Sequence, residues 1–317
     1  MDKTYPIKYS PHYPYNRYTD YLQSIFGKRM QKVSIDAGFT CPNIDGTIGK
    51  GGCIYCNNKS FNPNYKFEQQ NIAKQIDKGI TKFKNRKPGS GFIAYFQSHT
   101  NTHGEIDLLE QLYQEAIDHP EIEGLMISTR PDCLENEVIE LLKTFNKKIF
   151  TGVEIGIEST LNDTLQKINR GHTYEQTVET IHTVKNAGLH IGGHLILGLP
   201  GETKEDILNH AIKLSKEPLD TIKLHQLQII KNTQLAVKYK KDPEQIRLFP
   251  VEEYIDLCIK FTELLNPDVV IERFASESKP DLLAVKLWGG IKNHQIADMI
   301  SNEMKKRNTY QGKLFTL

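Results

Sequence analysis

The sequence predicts an α/β fold in which short parallel strands alternate with helices. Six compact apolar segments have the length and composition of strands, and segments with apolar residues at helical spacing lie between and after them. Because the strand segments are apolar almost throughout, we expect a sheet that is covered on both faces. An open, doubly wound sheet and a barrel both satisfy this pattern, and the periodicity alone does not choose between them.

The predicted elements follow one another along most of the chain. We predict strands over residues 33–35, 92–96, 124–128, 150–157, 191–197 and 221–230. We predict helices over residues 65–84, 106–117, 138–145, 174–187, 204–215 and 254–265. Gly188 is placed to end the fourth helix, because glycine readily adopts the left-handed conformation of a C-cap, and Pro267 stops the last helix.

Three parts are predicted along the 317 residues: an N-terminal arm over 1–30, a body of strands and helices over 31–232, and a helical C-terminal extension over 233–317 that packs on the body. The arm is rich in tyrosine, and its prolines at positions 6, 11 and 14 interrupt any helix there. Its tyrosines are Tyr5, Tyr9, Tyr13, Tyr15, Tyr18 and Tyr21. We expect the arm to pack on the body, and a surface that stacks on nucleic-acid bases is the alternative.

The composition is typical of a water-soluble protein. Hydrophobic residues make up 38% and charged residues 25%, and no apolar run approaches the roughly 20 residues of a membrane helix. The start at Met1 lacks the apolar segment of a secretion signal, so a cytoplasmic location is predicted. The net charge of +1 does not indicate a polyanionic partner, but basic clusters leave a nucleic-acid surface open. These clusters are Lys82, Lys84, Arg86 and Lys87; Lys238, Lys240 and Lys241; and Lys305, Lys306 and Arg307.

Three of the five cysteines form a cluster with the spacing C-x11-C-x2-C. Clustered thiols in a reducing compartment bind metal more often than they form disulfides, and soft thiolates select zinc, copper(I) or an iron–sulfur cluster. Glycines at positions 46, 49, 51 and 52 allow the loop to curl round such a group. A structural zinc ion usually has four protein ligands, so a zinc site would need a further ligand from His12, His99 or His103.

A cubane cluster held by three thiolates has one iron atom without a protein ligand. That open position can bind a small molecule that carries an amine and a carboxylate, such as S-adenosylmethionine (SAM), whose sulfonium an electron from the cluster can cleave. Backbone N–H groups of a glycine-rich loop can also hydrogen-bond to the cluster sulfurs and so tune the reduction potential of the cluster. We therefore predict a [4Fe–4S] cluster on Cys41, Cys53 and Cys56, with structural zinc or a chance clustering as alternatives.

The cysteine loop resembles that of the radical SAM superfamily, in which an aromatic residue, here Tyr55, precedes the last cysteine. Its long first gap is similar to that of the branch containing the YhcC-type proteins and the Elongator catalytic subunit. Other segments extend the resemblance over most of the chain, at residues 128–132, 154–159, 169–172, 194–202 and 283–292. The resemblance implies a partial (β/α)6 TIM-like barrel with a short N-terminal arm and a C-terminal extension. Substrate would enter at the carboxyl ends of the strands.

The resemblance also implies contacts to the amino and adenine groups of SAM. The family usually has a Gly-Gly-Glu-like stretch after the second strand, and Gln97 and Ser98 stand there in this sequence. Either side chain could bind the SAM amino group through an oxygen acceptor. Gln228 and Ile229 lie where the sixth strand of the family commonly meets adenine.

Three further residues match family positions that contact the rest of SAM. Glu158 and Ser159 match the fourth-strand position that often meets ribose or methionine. Arg170 matches a basic position suited to the SAM carboxylate, which a guanidinium can bind through two parallel hydrogen bonds. As alternatives, Arg170 closes a surface turn and Glu158 caps the helix that begins near Leu161.

The resemblance implies reductive cleavage of SAM to a 5′-deoxyadenosyl radical, with the electron supplied by a reductase or a flavodoxin-type donor. For the YhcC-type branch it implies tRNA as the substrate, with 5-carboxymethylaminomethyl-(2-thio)uridine at the wobble position converted to the 5-aminomethyl form. A radical SAM enzyme acting on a small metabolite or a tetrapyrrole is one alternative, and a non-enzymatic zinc or iron–sulfur module is another. The sequence has no second cysteine triplet for an auxiliary cluster, and it leaves the oligomeric state open.

Overall fold

A curled sheet of seven parallel strands is the centre of the computed structural model, which describes residues 4–57 and 71–316. The strands are β1 (Met30–Ile35), β2 (Gly91–Phe96), β3 (Ile122–Thr129), β4 (Phe150–Glu158), β5 (His190–Leu197), β6 (Thr221–Gln226) and β7 (Val270–Arg273). Neighbouring strands in the sheet are neighbours along the chain. Because helical crossovers join parallel strands in this order, the sheet curls into a partial barrel, as the family resemblance implies.

Helices surround this sheet, and most of them cover its outer face. In the described residues they are α1 (Tyr18–Phe26), α2 (Pro42–Asp45), α3 (Ile72–Lys84), α4 (Ile106–Ile117), α5 (Asn136–Asn146), α6 (Asn162–Lys167), α7 (Tyr174–Asn186), α8 (Lys204–Leu214), α9 (Gln234–Lys241), α10 (Val251–Leu264) and α11 (Asn293–Lys306). The main core lies between these helices and the strands, where Ile76, Tyr113 and Leu142 are fully buried. None of the described helices combines the length and apolar character that crossing a bilayer requires.

The sheet differs from the sequence prediction in its last two strands. β6 ends at Gln226, four residues before the predicted end, and β7 adds a strand from the segment that was predicted to be helical. β7 has only four residues, which is too short for an alternating pattern to distinguish a strand from a loop. The first residues of the predicted helix 65–84 lie outside the described residues, and α3 begins at Ile72. The boundaries of the arm, body and extension stay a prediction.

The inner face of the barrel changes from apolar to charged along the strands. Alternate residues of each strand point to this face. At the amino ends of the strands, Met30, Ile93 and Met126 pack against Leu22 of α1. Nearer the carboxyl ends, the same face carries the buried carboxylate of Glu154 on β4, which pairs with Lys32. Helix α1 therefore closes one mouth of the barrel and leaves the other mouth for a site.

The N-terminal arm packs on the body, but it is not free of helix as the sequence analysis expects: its prolines all precede Tyr18–Phe26, which form α1. Tyr5 and Tyr15 are buried, and the ring of Tyr15 meets Phe274 edge-on at a centroid distance of 5.0 Å. The backbone of Arg17 forms a parallel bridge with Ile271 of β7. Because the two buried rings are held inside the protein, they are not free to stack on nucleic-acid bases.

Candidate active site

A pocket of about 1010 Å³, including its opening to solvent, lies at the carboxyl ends of the strands. The cysteine loop forms one wall and the inner face of the barrel forms the floor. All three clustered cysteines line this pocket, as do Tyr55 and Arg170. A pocket of this size at this end of a β/α barrel is where a ligand site is expected.

The loop that carries the cysteines is held in a tight, glycine-dependent conformation. Cys41 is the N-cap of α2, and Gly46 ends that short helix with a φ of 97°. Gly51 and Gly52 have φ angles of 82° and 71°, a region that side chains rarely adopt. The turn is closed by the N–H of Cys56, which donates to the carbonyl of Cys53 at 3.0 Å. These glycines supply the positive φ angles that the sequence analysis expects.

Two other segments anchor the cysteine loop. The Asn169 side chain donates to the carbonyl of Gly52 at 2.8 Å, and the Ile54 N–H donates to the carbonyl of Ile168 at 3.0 Å. On the other side, the N–H of Leu235 in α9 donates to the carbonyl of Ile54 at 2.8 Å. The loop is therefore positioned by the segment after β4 and by the helix after β6.

Arg170 joins the cysteine loop to the end of β4. Its Nη1 lies 3.8 Å from the Sγ of Cys53, and its Nη2 donates to the carbonyl of Gly156 at 2.7 Å. Nη2 also lies 3.5 Å from a carboxylate oxygen of Glu158, which lines the same pocket. Arg170 is 7% exposed, so the surface-turn alternative is wrong. The helix-cap alternative for Glu158 is also wrong, since the N-cap of α6 is Leu161 and no side chain caps that helix.

A second buried arginine, Arg130, lies behind the first and also lines the pocket. Its Nε and Nη2 donate to the two carboxylate oxygens of Asp132 at 2.9 and 2.7 Å, and Nη2 also donates to the carbonyl of Arg170. Its Nη1 is buried and has no hydrogen-bond partner in the described part of the chain. An unsatisfied buried guanidinium N–H is costly, so this atom suits an anionic ligand.

The donor set fits an iron–sulfur cluster. Within residues 4–57 and 71–316, no three His, Cys, Asp or Glu side chains are close enough to hold one metal ion. A cubane differs from a single ion because each thiolate binds a separate iron atom. Burial first, and the charges on Cys53 and Cys41 second, raise the pKa of Cys56 to about 12. A bound cationic metal would offset this cost, because coordination favours the thiolate.

The remaining residues predicted to contact SAM fall into two groups. Gln97 and Glu158 line the pocket, whereas Ser98, Ser159, Gln228 and Ile229 do not. Ser159 donates to the buried Glu202 carboxylate, and Gln228 accepts a hydrogen bond from Ser278 at 2.7 Å. Because β6 ends early, Gln228 and Ile229 lie beyond it, and Ile229 is buried in an apolar cluster.

Sequence reasoning missed a charged network on the pocket floor. Glu154 of β4 is 1% exposed and pairs with Lys32 of β1 and Lys223 of β6. Glu272 of β7 accepts from the same two lysines at 2.7 and 3.2 Å. Lys223 also contacts the hydroxyl of Tyr95 at 3.2 Å. One signal in the sequence could have indicated this network: Lys32, Glu154 and Lys223 are charged residues within strands that are otherwise largely apolar.

Comparison with known proteins identifies the class to which this fold and pocket belong. Residues 44–214 match the radical SAM superfamily, and residues 219–306 match the radical SAM C-terminal domain. YhcC from Escherichia coli is 31% identical over 264 residues, which cover 83% of this chain and 84% of YhcC. The chain therefore belongs to the radical SAM superfamily, whose cofactors are a [4Fe–4S] cluster and SAM.

Within the superfamily the chain groups with YhcC, and over part of its length it is similar to Elongator-type proteins. A tRNA uridine(34) acetyltransferase from Methanocaldococcus infernus is 28% identical over 188 residues, which cover 58% of this chain and 33% of that protein. The structure of an N-terminally truncated Elp3 from the same archaeon matches with a TM-score of 0.68 and 17% identity. This match covers 89% of the present chain and 64% of the Elp3 chain, and it shows a shared fold.

Proposed function

We propose that this protein is a radical SAM enzyme that modifies the wobble uridine of tRNA, converting 5-carboxymethylaminomethyl-(2-thio)uridine to the 5-aminomethyl form. The observation that carries the enzymatic part is the pocket in which three cysteines face two buried arginines at the open end of the barrel. Bound together, the cluster and SAM supply a one-electron reduction of the sulfonium that yields a 5′-deoxyadenosyl radical.

In this proposal Cys41, Cys53 and Cys56 hold the cluster and leave one iron atom for SAM. Arg170 supports the cluster by placing positive charge near the Cys53 sulfur. Arg130 offers its unpartnered Nη1 to the SAM carboxylate; its Nη2 donates to the backbone carbonyl of Arg170, and both arginines line the pocket. This pair deepens the sequence prediction, which assigned the carboxylate to Arg170 alone.

Other pocket residues would orient SAM. Gln97 accepts a hydrogen bond from Ser34 through its Oε1, which leaves its amide N–H groups to face a ligand. Glu158 has a φ of 66°, and a break in the strand register beside it directs its carboxylate into the pocket. A positive φ at a residue other than glycine costs free energy and recurs at functional sites. Glu158 is therefore our candidate for the ribose or amino contact.

The tRNA part of the proposal is supported by relatives and by surface charge. The relative in M. infernus is named a tRNA uridine(34) acetyltransferase. Lys238, Lys240 and Lys241 lie on α9, the helix that is hydrogen-bonded to the cysteine loop. These lysines are exposed and form no ion pair within the described residues, so they can meet phosphate groups near the pocket mouth.

The test is a reconstitution with defined RNA. The purified protein is loaded with iron and sulfide, then incubated with SAM, dithionite and tRNA carrying 5-carboxymethylaminomethyluridine. Mass spectrometry of the nucleosides should show 5-aminomethyluridine appearing together with 5′-deoxyadenosine. Formation of 5′-deoxyadenosine with an unchanged wobble nucleoside at saturating tRNA would reject the substrate and retain the enzyme class.

A lysine variant links the surface to the substrate. Replacing Lys238, Lys240 and Lys241 by glutamine should weaken tRNA binding and reduce its salt dependence, because fewer phosphate charges are neutralised. Replacing Lys305, Lys306 and Lys260 by glutamine removes equal charge from α10 and α11 and serves as the control. A flavodoxin-type electron donor belongs to the same proposal, because the cluster needs an electron to cleave SAM, and a cytoplasmic location belongs to it because the proposed substrate is tRNA.

A further inference from the structure

The floor of the pocket contains a β-bulge that turns an arginine toward the substrate space. The pairing of β6 with β7 shifts register between Ile222 and Lys223, so that Lys223 faces Arg273. A bulge of this kind re-aims side chains by one position. Here Glu272 contacts the lysines of the network while the next residue, Arg273, lines the pocket.

The positive charge of Arg273 is only weakly compensated by neighbouring carboxylates. Its guanidinium lies 3.7 Å from a carboxylate oxygen of Glu272, and that carboxylate also serves Lys32 and Lys223. Among the described residues the Arg273 guanidinium forms no hydrogen bond within ordinary range. The Arg273 side chain is 30% exposed, so its guanidinium is open to the pocket and can form the bidentate contact that a carboxylate ligand offers.

The charges on the floor do not balance. Lys32, Lys223 and Arg273 face two carboxylates, those of Glu154 and Glu272. Burial lowers the pKa of the floor histidines, His194 and His225, so both are neutral at neutral pH. The floor therefore carries one positive charge in excess. We assign this excess charge to Arg273, which lines the pocket.

A neutral hydrogen-bonding group lies on the same side. His225 lines the pocket, two residues after Lys223 on β6, and therefore on the same face of the strand. Its Nε2 is buried without a hydrogen-bond partner in the described residues. An excess cation and an unpaired imidazole nitrogen on adjacent strands are the features expected of a site for one anionic group.

This site is separate from the groups assigned to SAM. Arg170 and Arg130 lie beside the cysteine loop, and each has its own carboxylate, Glu158 and Asp132. The floor network is centred on Glu154, two residues before Gly156, whose carbonyl binds Arg170. The floor therefore lies one layer deeper in the barrel than the arginines near the cysteines, and its excess charge is left for a second ligand.

We propose that Arg273 and His225 bind a carboxylate of the substrate on the floor of the pocket, and that Lys223, whose ammonium already donates to Glu154, Glu272 and Tyr95, adds positive charge beside them. This inference rests on the proposed function. In the proposed substrate, the carboxylate is the one at the carboxymethyl end of the wobble-uridine side chain. Binding that end would place the methylene carbons of the side chain above the floor, on the side of the pocket that faces the cysteines. The residues thus select the substrate by its charge and hold it by its carboxylate.

The test compares two tRNAs that differ only in the carboxymethyl group. The dissociation constants of tRNA carrying 5-carboxymethylaminomethyluridine and tRNA carrying 5-aminomethyluridine are measured on the cluster-loaded protein with SAM. The wild-type protein should prefer the carboxylate form by roughly tenfold or more, as loss of a charge-assisted contact predicts. Arg273→Gln should abolish this preference and Arg273→Lys should retain part of it. A preference that is unchanged in Arg273→Gln overturns the inference.

Controls separate a failure of this inference from a failure of the proposed function. Arg247→Gln removes an exposed arginine outside the pocket and should leave the preference unchanged. Iron content and the thermal midpoint establish that each variant is folded and loaded. If the wild-type protein binds neither tRNA at low salt, the tRNA function fails, and N-methylglycine becomes the probe in ligand-detected NMR. Binding of this probe that Arg273→Gln abolishes supports the carboxylate site, whereas equal binding or none overturns it.

Discussion

The Nη1 atom of Arg170 lies 3.8 Å from the Sγ atom of Cys53, inside a pocket where both side chains are buried. The other end of the same guanidinium is fixed to the carbonyl of Gly156. A positive charge held at this distance from a thiolate favours the state of a cluster that carries one more electron. The position of one arginine thus links the barrel sheet to the redox chemistry of the cysteine loop.

Arg170→Met should lower the midpoint potential of the reconstituted cluster, on the order of tens of millivolts, because the reduced form loses a nearby positive charge and an N–H donor. Arg170→Lys should retain part of the shift, since it keeps the charge and loses the planar fork. The measurement is a redox titration followed by electron paramagnetic resonance. Lys167→Met, an exposed position on α6, is the control. An equal potential in Arg170→Met and the wild type would contradict this role.

Gly156→Ala should displace Arg170 without breaking β4. A Cβ at this position would lie 2.4 Å from Nη2 of Arg170 and 2.5 Å from a carboxylate oxygen of Glu158. We expect SAM to bind roughly tenfold more weakly, since a guanidinium contact is worth about 1.5 kcal/mol or more. Isothermal titration with SAM measures the effect.

The matched control is Gly124→Ala on β3. There the nearest atom to an added Cβ is a side-chain carbon of Ile93 at 3.2 Å, far from the cysteines. This variant should bind SAM as the wild type does. Equal SAM affinity in Gly156→Ala would mean that Arg170 does not contribute to the SAM site.

Glu154→Gln should destabilise the fold strongly. The change leaves Lys32 and Lys223 in the barrel with only Glu272 to share, and removing one partner of a buried ion pair costs about 3–5 kcal/mol. Urea denaturation measures the free energy of unfolding. Glu123→Gln breaks the exposed pair with Lys28 and should cost less than about 1 kcal/mol. Similar losses in both variants would show that the floor network does not stabilise the barrel.

Substrate binding should weaken as the pH rises through about 8. Burial lowers the pKa of Lys223 to about 8, although Glu154 and Glu272 oppose this shift. Below that pH the ammonium adds positive charge to the floor, and above it the neutral amine does not, so a carboxylate loses attraction. The other groups facing Lys223 are Tyr95, Lys32, His194, His225 and Arg273.

The measurement is the dissociation constant of the carboxylate-bearing tRNA between pH 7 and pH 9, beside that of the aminomethyl form. The second tRNA is the control, because it has no carboxylate for the floor to bind. A ratio of the two constants that stays flat across this range would contradict a contribution from Lys223.

Much of the fold follows from local patterns in the sequence. Apolar runs and helical periodicity predicted the first six strands of the sheet, and the helix Ile106–Ile117 was predicted to the residue. The curling of the sheet into a partial barrel did not follow from periodicity, because an open, flatter sheet has the same alternation of strands and helices. β7 was missed because its pairing with β6 depends on the path of the chain after α10.

The sequence predicted only those site residues that belong to a short motif with a recognisable spacing. The cysteines could be grouped from their spacing, and Arg170 from its motif, and the pocket contains all of them. The partners of Glu154 could not be predicted, since Lys32 and Lys223 come from β1 and β6, which are far from β4 in the sequence. Gln228 was placed in a strand that ends before it, so the adenine contact assigned to it stays a prediction without support from the pocket.

The most direct test of the account is electron paramagnetic resonance of the anaerobically reconstituted and reduced protein, with and without SAM, together with metal analysis. We predict about four iron atoms per chain, the number in one cubane cluster, and a spectrum that changes when SAM binds. The Cys41/Cys53/Cys56→Ala variant should lose both signals and remain folded, and Cys133→Ala should keep both. Stoichiometric zinc, or a cluster whose spectrum does not respond to SAM, would contradict an open iron position on these three cysteines.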